Sequence, residues 1–420
     1  MTSATINCRA HQLNLRYEPL CPKEKEKIML LSIAYILLLG MLSGWICKKL
    51  HLPALLGMIL TGIILGPYTL NLIDGSILSI SSELRRIALI IILTRAGLSL
   101  SIDDLKEVGR PAILMCFVPA CFEIVGMVLL APHLLGISVL EAAIMGTVIA
   151  AVSPAVIVPK MLKLMEEGYG VRKGIPQMIL AGASVDDVFV IVMFAAFTGL
   201  AQGKSLSPVQ FVKIPVSIFL GIVLGLIIGT VLSYYFNKVH IRDTAKVLIL
   251  LCISFILVTL EDKMTGFLTF SSLIAVMCIG VALQRMKGEV AVRLSMKFNK
   301  MWVAAEILLF VLVGATVNLK YAASAGISAV ILILAVLLFR MAGVFCCLIK
   351  TPLNAKERLF TMIGYMPKAT VQAAIGGVPL AMGLACGNIV LTVAVLAILI
   401  TAPLGALLID LTYSRFLTKN

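Results

Sequence analysis

Two neighbouring carboxylates, Asp186 and Asp187, stand in the middle of an apolar stretch, GASVDDVFVIVMF (182–194). In a helix that begins near residue 175 they lie about 11–12 residues, or about 17 Å, from its start. Adjacent carboxylates at that depth of a membrane cannot both stay ionised without a cation. Such a pair can hold a proton or a partly dehydrated Na⁺, and competition between the two is the minimal chemistry of cation/proton exchange. The alternative is a polar patch that is hydrogen-bonded between helices.

A second pair of opposite charges also stands in apolar sequence, with Glu123 in VPACFEIVG and Arg340 in LLFRMAGVF. Charge at membrane depth is costly and by default suggests function. The two side chains can neutralise each other, either as a structural ion pair or as charge compensation for a binding site. Because arginine does not lose its proton in proteins, Arg340 cannot itself be the site of a carried proton.

Prolines and polar residues interrupt two more apolar stretches, AAVSPAVIVP (150–159) and GYMPKATVQAAIGG (364–377). Proline removes a helical hydrogen bond, and in lipid the freed backbone groups need a partner or a cavity. Two broken helices at corresponding positions point to a binding site near the membrane midplane. The candidate residues there are Ser153, Pro154, Pro159, Lys368, Thr370 and Gln372. Their neutral oxygens could bind a cation or cap the broken ends, and the lysine could balance half-helix dipoles or satisfy loose carbonyls.

The composition requires a membrane. The chain of 420 residues has 60% hydrophobic and only 13% charged residues, with a mean hydropathy of +1.08, whereas soluble domains carry about 25% charged residues. This excludes a soluble globular, disordered or fibrous protein and predicts an all-α polytopic membrane protein in a lipid bilayer. The net charge of +14 comes from short loops, so we expect no nucleic-acid partner.

Thirteen apolar stretches approach the length of about 20 residues that a membrane span needs. These spans are 28–47, 53–70, 86–100, 110–131, 138–163, 175–200, 208–237, 244–260, 265–284, 301–317, 325–349, 357–380 and 387–411. Lysine and arginine concentrate in the loops after odd-numbered spans, which predicts an N-terminus outside and a C-terminus in the cytoplasm. In two inverted six-helix repeats, span n would be the structural counterpart of span n + 7, with span 7 as the linker between the repeats. The glycine spacing in 221–229 suggests close packing of that span against a neighbour.

The sequence contains neither a P-loop nor an HExxH motif. The first absence argues against ATP-driven transport, and the second argues against a histidine metal site. We also expect no enzyme activity and no cofactor.

Seven segments run in order along nearly the whole chain and carry a family resemblance. They are LTRAGLSL (93–100), VPACFEIV (118–125), AAVSPAVIVPKML (150–162), EGYGVRKGIPQMILAGASVDDV (167–188), LLFVLVGATV (308–317), MPKATVQAAIG (366–376) and ILITAPLGALLI (398–409). On these residues the chain resembles the monovalent cation:proton antiporter superfamily, specifically the NHA branch of sodium/hydrogen exchangers.

The resemblance implies a homodimer with a scaffold domain and a core domain that moves like an elevator. The implied division is a polar tail (1–27), scaffold helices (28–109), the first half of the core (110–200), a linker and further scaffold (208–317), the second half of the core (325–411) and a cytoplasmic tail (412–420). Spans 5 and 12 would be unwound where they cross.

The resemblance also implies roles for individual residues. Asp187 would bind the transported Na⁺ or Li⁺, with Asp186 beside it and Ser153 near the ion. Arg340 takes the place of a lysine in several bacterial electrogenic relatives, whereas the NHA branch has arginine there with Glu123 as its partner. Two aspartates point to two protons per Na⁺, while the loss of a titratable lysine points to electroneutral exchange.

The sequence therefore predicts a secondary antiporter that exchanges H⁺ for Na⁺ or Li⁺, in a bacterial inner membrane. One alternative is a Na⁺-coupled symporter of an organic anion, with Lys368 or Arg340 as the anion-binding cation. An intramembrane aspartyl protease needs aspartates on two facing helices. Adjacent aspartates and the lack of a GxGD sequence disfavour it. The paired buried charges disfavour a channel.

Overall fold

The computed structural model describes residues 22–50, 52–99, 109–202, 208–239, 241–264, 270–317 and 319–419. Its α-helices are α1 (Pro22–Lys49), α2 (Ala54–Leu65), α3 (Gly75–Ser79), α4 (Ser81–Ser99), α5 (Arg110–Met115), α6 (Val118–Leu135), α7 (Val139–Ala150), α8 (Pro154–Glu167), α9 (Ile175–Ala201), α10 (Pro208–Lys238), α11 (Asp243–Lys263), α12 (Ser272–Met286), α13 (Gly288–Ala315), α14 (Leu319–Cys347), α15 (Ala355–Gly364), α16 (Thr370–Ile375), α17 (Val378–Ala381) and α18 (Gly387–Phe416).

Eight helical stretches of the described residues are long and apolar enough to cross a membrane. They are Met29–Lys49, Arg110–Leu135, Ile175–Ala201, Phe219–Lys238, Asp243–Glu261, Gly288–Ala315, Gly326–Cys347 and Gly387–Phe416. Shorter apolar helices lie at 54–65, 139–150, 272–286 and 370–381. The prediction of a helical polytopic membrane protein is confirmed, while the count of thirteen spans and the inverted repeats stay predictions.

Several helix ends differ from the predicted ones. Helix α1 begins at Pro22, inside the predicted polar tail, and α13 begins at Gly288 rather than at residue 301. Lysine, glutamate, arginine and methionine favour helix, so these helices continue past the apolar run that a hydropathy count detects. Residues 1–21 of the predicted tail and 265–269 of the ninth span lie outside the described residues.

The fourth predicted span is interrupted between α5 and α6, which the sequence analysis did not predict. Pro119 stands in the first turn of α6 and has no N–H to bond the carbonyl of Met115, four residues earlier. The hydroxyl oxygen of Tyr365 lies 3.5 Å from that carbonyl oxygen. The fourth predicted span is thus a third irregular helix, beside the two predicted breaks.

Glycines bring two pairs of helices to backbone contact, α2 with α13 and α4 with α12. A Cβ at Gly62 or at Gly314 would lie 2.0 or 2.2 Å from a backbone oxygen of the other helix. A Cβ at Gly97 or at Gly280 would lie 2.2 or 2.6 Å from backbone atoms across the second pair. Only glycine permits this separation, so the four positions fix how the helices of 28–109 and 208–317 pack together.

Helix α10 packs on α12 through the glycines of the predicted close contact. A Cβ at Gly225 would lie 2.4 Å from the carbonyl oxygen of Ala275, and one at Gly221 would lie 2.6 Å from that of Ser271. The prediction of close packing from the glycine spacing is confirmed.

Candidate functional site

The two predicted helix breaks meet. Helix α7 ends at Ala150 and α8 begins at Pro154, while α15 ends at Gly364 and α16 begins at Thr370. The N–H of Ser153 in the first break donates to the carbonyl oxygen of Pro367 in the second, at 2.8 Å. Backbone groups that the breaks release from helical bonds therefore satisfy each other within the protein, as they must in lipid.

Gln372 of α16 caps the C-terminal end of α7. Its side-chain nitrogen donates to the carbonyl oxygens of Ile149 at 3.0 Å and of Ala151 at 2.7 Å. These carbonyls belong to the last turn of a helix and have lost their partners in the chain. The side chain is 1% exposed, so water does not replace this cap.

Four charged side chains form a buried ion cluster beside the breaks. The guanidinium of Arg340 donates to Glu123 Oε2 and to Asp186 Oδ2, each at 2.8 Å. The ammonium of Lys368 donates to the same Glu123 oxygen at 2.5 Å. All four side chains are at most 1% exposed. Two cations thus neutralise two carboxylates in the interior, where an unpaired charge is expensive.

Arg340 also binds the backbone of both breaks. Its Nε donates to the carbonyl oxygen of Tyr365 at 2.8 Å, and NH1 donates to the carbonyl oxygen of Ala150. The guanidinium carbon lies 5.4 Å from the ring centre of Tyr365. One planar side chain with five N–H donors can bind two acids and two carbonyls at once, which a lysine cannot do.

Backbone and hydroxyl groups complete the surroundings of the cluster. Asp186 Oδ2 also accepts the N–H of Val152 at 2.9 Å. The backbone N–H of Lys368 donates to Thr401 Oγ1 at 3.0 Å, and this hydroxyl donates to Ala397 in its own helix. Each cluster residue is therefore held by its own side-chain bonds or by the backbone next to it.

Asp187 differs from its neighbour. It forms no ion pair with any described residue, and its Oδ1 is buried without a hydrogen-bond partner there. The other buried oxygens of the site that lack a partner among the described residues are Ser153 Oγ, Asp186 Oδ1, Thr370 Oγ1 and Gln372 Oε1. Buried polar atoms nearly always have partners, so five such oxygens on the elements that meet here indicate a place for a polar ligand.

Two predicted site residues, Pro159 and Lys368, do something other than expected. Pro154 is the first residue of α8, but Pro159 lies inside α8, which continues to Glu167, so the helix break does not include it. Pro159 removes only one N–H donor, and the helical hydrogen bonds before and after it keep α8 continuous. Lys368 binds a carboxylate and not loose carbonyls or helix ends, because Glu123 of α6 reaches the break.

Sequence reasoning missed three residues at the site, Tyr365, Thr401 and Gly182. Tyr365 is fully buried, and a Cβ at Gly182 of α9 would lie 2.0 Å from its hydroxyl oxygen. The available signals were a tyrosine inside the predicted break and a threonine in the apolar run ILITAPLG. No sequence signal relates Gly182 to Tyr365.

A buried ion cluster around two crossed helix breaks defines a membrane transport protein with a discontinuous-helix site. The fold agrees with that class. The solved sodium proton antiporter MjNhaP1 from Methanocaldococcus jannaschii superposes with a TM-score of 0.81, at 21% identity, covering 93% of this chain and 99% of that one.

The family model described as "Sodium/hydrogen exchanger, transmembrane" matches residues 34–412. Sodium/hydrogen exchanger 9B2 of Mus musculus is 33% identical over 385 residues, which are 88% of this chain and 69% of that protein. Sodium/hydrogen exchanger 9B1 of Homo sapiens is 32% identical over 388 residues, which are 88% of this chain and 73% of that protein. The chain belongs to the sodium/hydrogen exchanger family.

Membership confirms the prediction of an integral membrane cation:proton antiporter with Na⁺ and H⁺ as substrates. It also confirms that the protein is a transporter and not an enzyme, and that it needs no cofactor.

Proposed function

We propose that Asp187 is the group that binds either the transported cation or a proton, and that Asp186 is a fixed charge. The observation that carries this division is the ion pairing of the two carboxylates. Asp186 Oδ2 receives Arg340 at 2.8 Å and a backbone N–H at 2.9 Å, whereas Asp187 has no ion pair with a described residue. A carboxylate that is already neutralised has little to gain from Na⁺, and one without a cation has much to gain.

The charge count favours one proton for each cation. Arg340 and Lys368 balance Glu123 and Asp186, so an ionised Asp187 leaves the buried group with one uncompensated negative charge. One Na⁺ or one H⁺ removes that charge. Of the two stoichiometries open at the sequence level, the ion cluster therefore supports electroneutral exchange.

The neutral ligands of the cation would come from the two breaks. The hydroxyls of Ser153 and Thr370 and the side-chain oxygen of Gln372 are buried without partners among the described residues. Oxygen ligands of this kind, with freed backbone carbonyls, suit a partly dehydrated Na⁺ or Li⁺. Selection between Na⁺ and Li⁺ would follow from how closely these oxygens approach the ion.

Transport would proceed by movement of a core, 110–200 with 325–411, against a scaffold, 28–109 with 208–317. Two features support this division: the crossed breaks are bonded to each other, and the ion cluster lies wholly within the core. An ionised, unloaded Asp187 opposes the movement because its charge is costly at membrane depth. The core then moves only with a cation or a proton bound, which makes exchange obligatory.

Two inverted six-helix repeats are supported by the glycine contacts of the scaffold. If span n matches span n + 7, Gly62 corresponds to Gly280 and Gly97 corresponds to Gly314. The contact between Gly62 of α2 and α13 then corresponds to the contact between Gly280 of α12 and α4. The ion pair between α6 and α14 joins matched spans 4 and 11, and the crossing of the two breaks joins matched spans 5 and 12.

The proposal keeps the orientation from the positive-inside rule, with the N-terminus outside and the C-terminus in the cytoplasm. It also includes a homodimer formed through the scaffold. The bacterial inner membrane stays a prediction.

The test uses purified protein in proteoliposomes with an imposed pH gradient and an internal pH dye. NaCl, LiCl or choline chloride is added while valinomycin and equal K⁺ concentrations on both sides clamp the voltage, and KCl is tested separately without valinomycin. We expect Asp187→Asn to abolish Na⁺- and Li⁺-dependent dissipation of the gradient. Asp186→Asn should retain exchange at a reduced rate, and Glu289→Gln, an exposed acid, serves as the matched control. Exchange by Asp187→Asn at the wild-type rate would refute the assignment, and a rate that changes with voltage would refute the charge count.

Two structural observations disfavour the organic-anion symporter. Both cations that it would need for an anion, Arg340 and Lys368, are already bound to Glu123 or Asp186. A peptidase is disfavoured because Asp186 is occupied by Arg340 and because the two aspartates share helix α9.

A further inference from the structure

Arg85 is a buried cation that pairs with no acid among the described residues. It lies in the second turn of α4, is 7% exposed, and its Nε donates to the carbonyl oxygen of Ser81 in the same helix at 3.2 Å. Its NH1 is buried and has no hydrogen-bond partner among the described residues, and no described acid forms an ion pair with it. The nearby Glu83 is exposed and, two residues away on a helix, faces another direction. A buried charge is costly unless an opposite charge compensates it, so this guanidinium is a candidate anion-binding group.

A cavity of about 210 Å³ adjoins this guanidinium, a volume below that of drug-sized ligand sites, about 300–1,000 Å³, and therefore suited to a small group. Its polar wall comes from the proposed scaffold and is lined by Arg85 with Ser81, Ser82 and Thr316. Its opposite wall comes from the core and contains Gly377 with apolar side chains such as Leu391. The cavity therefore lies between the two proposed moving parts, away from the ion cluster of Arg340.

The start of α4 adds further donors. Ser81 and Ser82 are the first two residues of this 19-residue helix, and the first N–H groups of a helix have no helical partner and favour anions. Serine hydroxyls rotate to donate as needed. A planar guanidinium next to hydroxyl and amide donors matches the geometry of phosphate oxygens.

We propose that Arg85 and the serine-rich start of α4 bind a phosphate group at the boundary between scaffold and core. Two sources supply this chemistry, the headgroup of an anionic phospholipid and free inorganic phosphate. The leucines of the core wall suit the glycerol and upper acyl part of a lipid, while the cavity also accepts the free ion. By the orientation proposed above, the site opens to the outer side of the membrane.

Occupancy would hold the two parts together. NH1 of Arg85 approaches the core so closely that a Cβ at Gly377 would lie 2.2 Å from it. A phosphate bound between them would contact both walls and slow their relative movement. This consequence rests on the proposed function, whereas binding itself does not.

Binding is measured on the full chain in detergent. Native mass spectrometry counts bound dioleoylphosphatidylglycerol against dioleoylglycerol, which lacks the phosphate. Thermal unfolding, followed by tryptophan fluorescence, is titrated with sodium phosphate against sodium chloride at equal ionic strength. We expect retention of the phospholipid, a stabilising shift with phosphate, or both, and Arg85→Gln should weaken the effect about tenfold because it removes a charged hydrogen bond.

Two more variants test whether binding occurs at the proposed site, one at the site and one away from it. Gly377→Ala retains the arginine but pushes its guanidinium from the cavity wall, and it should weaken binding in the same direction. Lys263→Gln removes an exposed cation on the same proposed side and should leave binding unchanged.

Shifts by phosphate alone identify the free ion, and lipid retention alone identifies the headgroup. Equal binding by wild type and both site variants, or no binding of either probe, would overturn the proposal. Asp187→Asn should bind as wild type does, so failure of the transport assignment is distinguishable from failure here.

Discussion

Replacing Arg340 by glutamine should destabilise the protein strongly, and the ion cluster predicts where the penalty falls. Asp186 loses its cation and keeps only the N–H of Val152, while Glu123 remains bound to Lys368 at 2.5 Å. Removing one partner of a buried ion pair costs about 3–5 kcal/mol because the other charge stays buried and unpaired. Two carbonyls also lose their donor, at about 1 kcal/mol or more each. We therefore expect a loss of about 5–7 kcal/mol in the free energy of unfolding.

Two double variants separate the contributions of the acids. Adding Asp186→Asn to Arg340→Gln removes the uncompensated carboxylate and should restore about 2–3 kcal/mol, which is a large coupling energy. Adding Glu123→Gln should restore nothing, because that acid was still neutralised and its loss leaves Lys368 unpaired. The two variants differ by one acid-to-amide change each, so they are matched controls for one another.

The free energy of unfolding is measured by titrating sodium dodecyl sulfate into protein in dodecyl maltoside micelles and following the fluorescence of the tryptophans. Equal recovery by the two double variants would refute the charge assignment. A cost below about 1 kcal/mol for Arg340→Gln would also refute it, since that is the value of an exposed ion pair.

Two further changes test the packing around the breaks in the same assay. Gly182→Ala should cost about 1–3 kcal/mol through overpacking, because its Cβ would meet the hydroxyl of Tyr365 at 2.0 Å; adding Tyr365→Phe should recover most of that loss, and no recovery would contradict the contact. Gln372→Leu should cost about 2 kcal/mol because it leaves the carbonyls of Ile149 and Ala151 without donors. A neutral result there would mean that water caps α7 in place of the amide.

The sequence was informative wherever a residue is unusual for its surroundings. Charges in apolar runs located Asp186, Asp187, Glu123 and Arg340, and prolines in apolar runs located both breaks, because each such residue is costly in lipid. Hydropathy placed the helices for the same reason. Hydropathy did not predict that α1 begins at Pro22 and α13 at Gly288, because both helices extend through polar residues beyond the apolar run.

The residues of the ion cluster could be predicted from the sequence more easily than the contacts between them. The chain pattern suggested a pair between Glu123 and Arg340, but the guanidinium also binds Asp186, and Lys368 also binds Glu123. These contacts depend on the rotation of α6 and α14 and on the path of the break between α15 and α16. Neither periodicity nor hydropathy reports such angles. The predicted spans 53–70 and 86–100 leave Arg85 in a loop, because nothing in the sequence shows that Gly377 and Leu391 cover it.

The glycine contacts of α2 with α13 and of α4 with α12 have a mechanical consequence. Backbones that touch without intervening side chains cannot slide or bend independently, so these four helices act as a stiff frame. A stiff frame transmits load and absorbs little of it. If core and scaffold move against each other as proposed above, a change of bilayer thickness would act on the boundary between them, and we expect turnover to vary with the thickness of the host membrane.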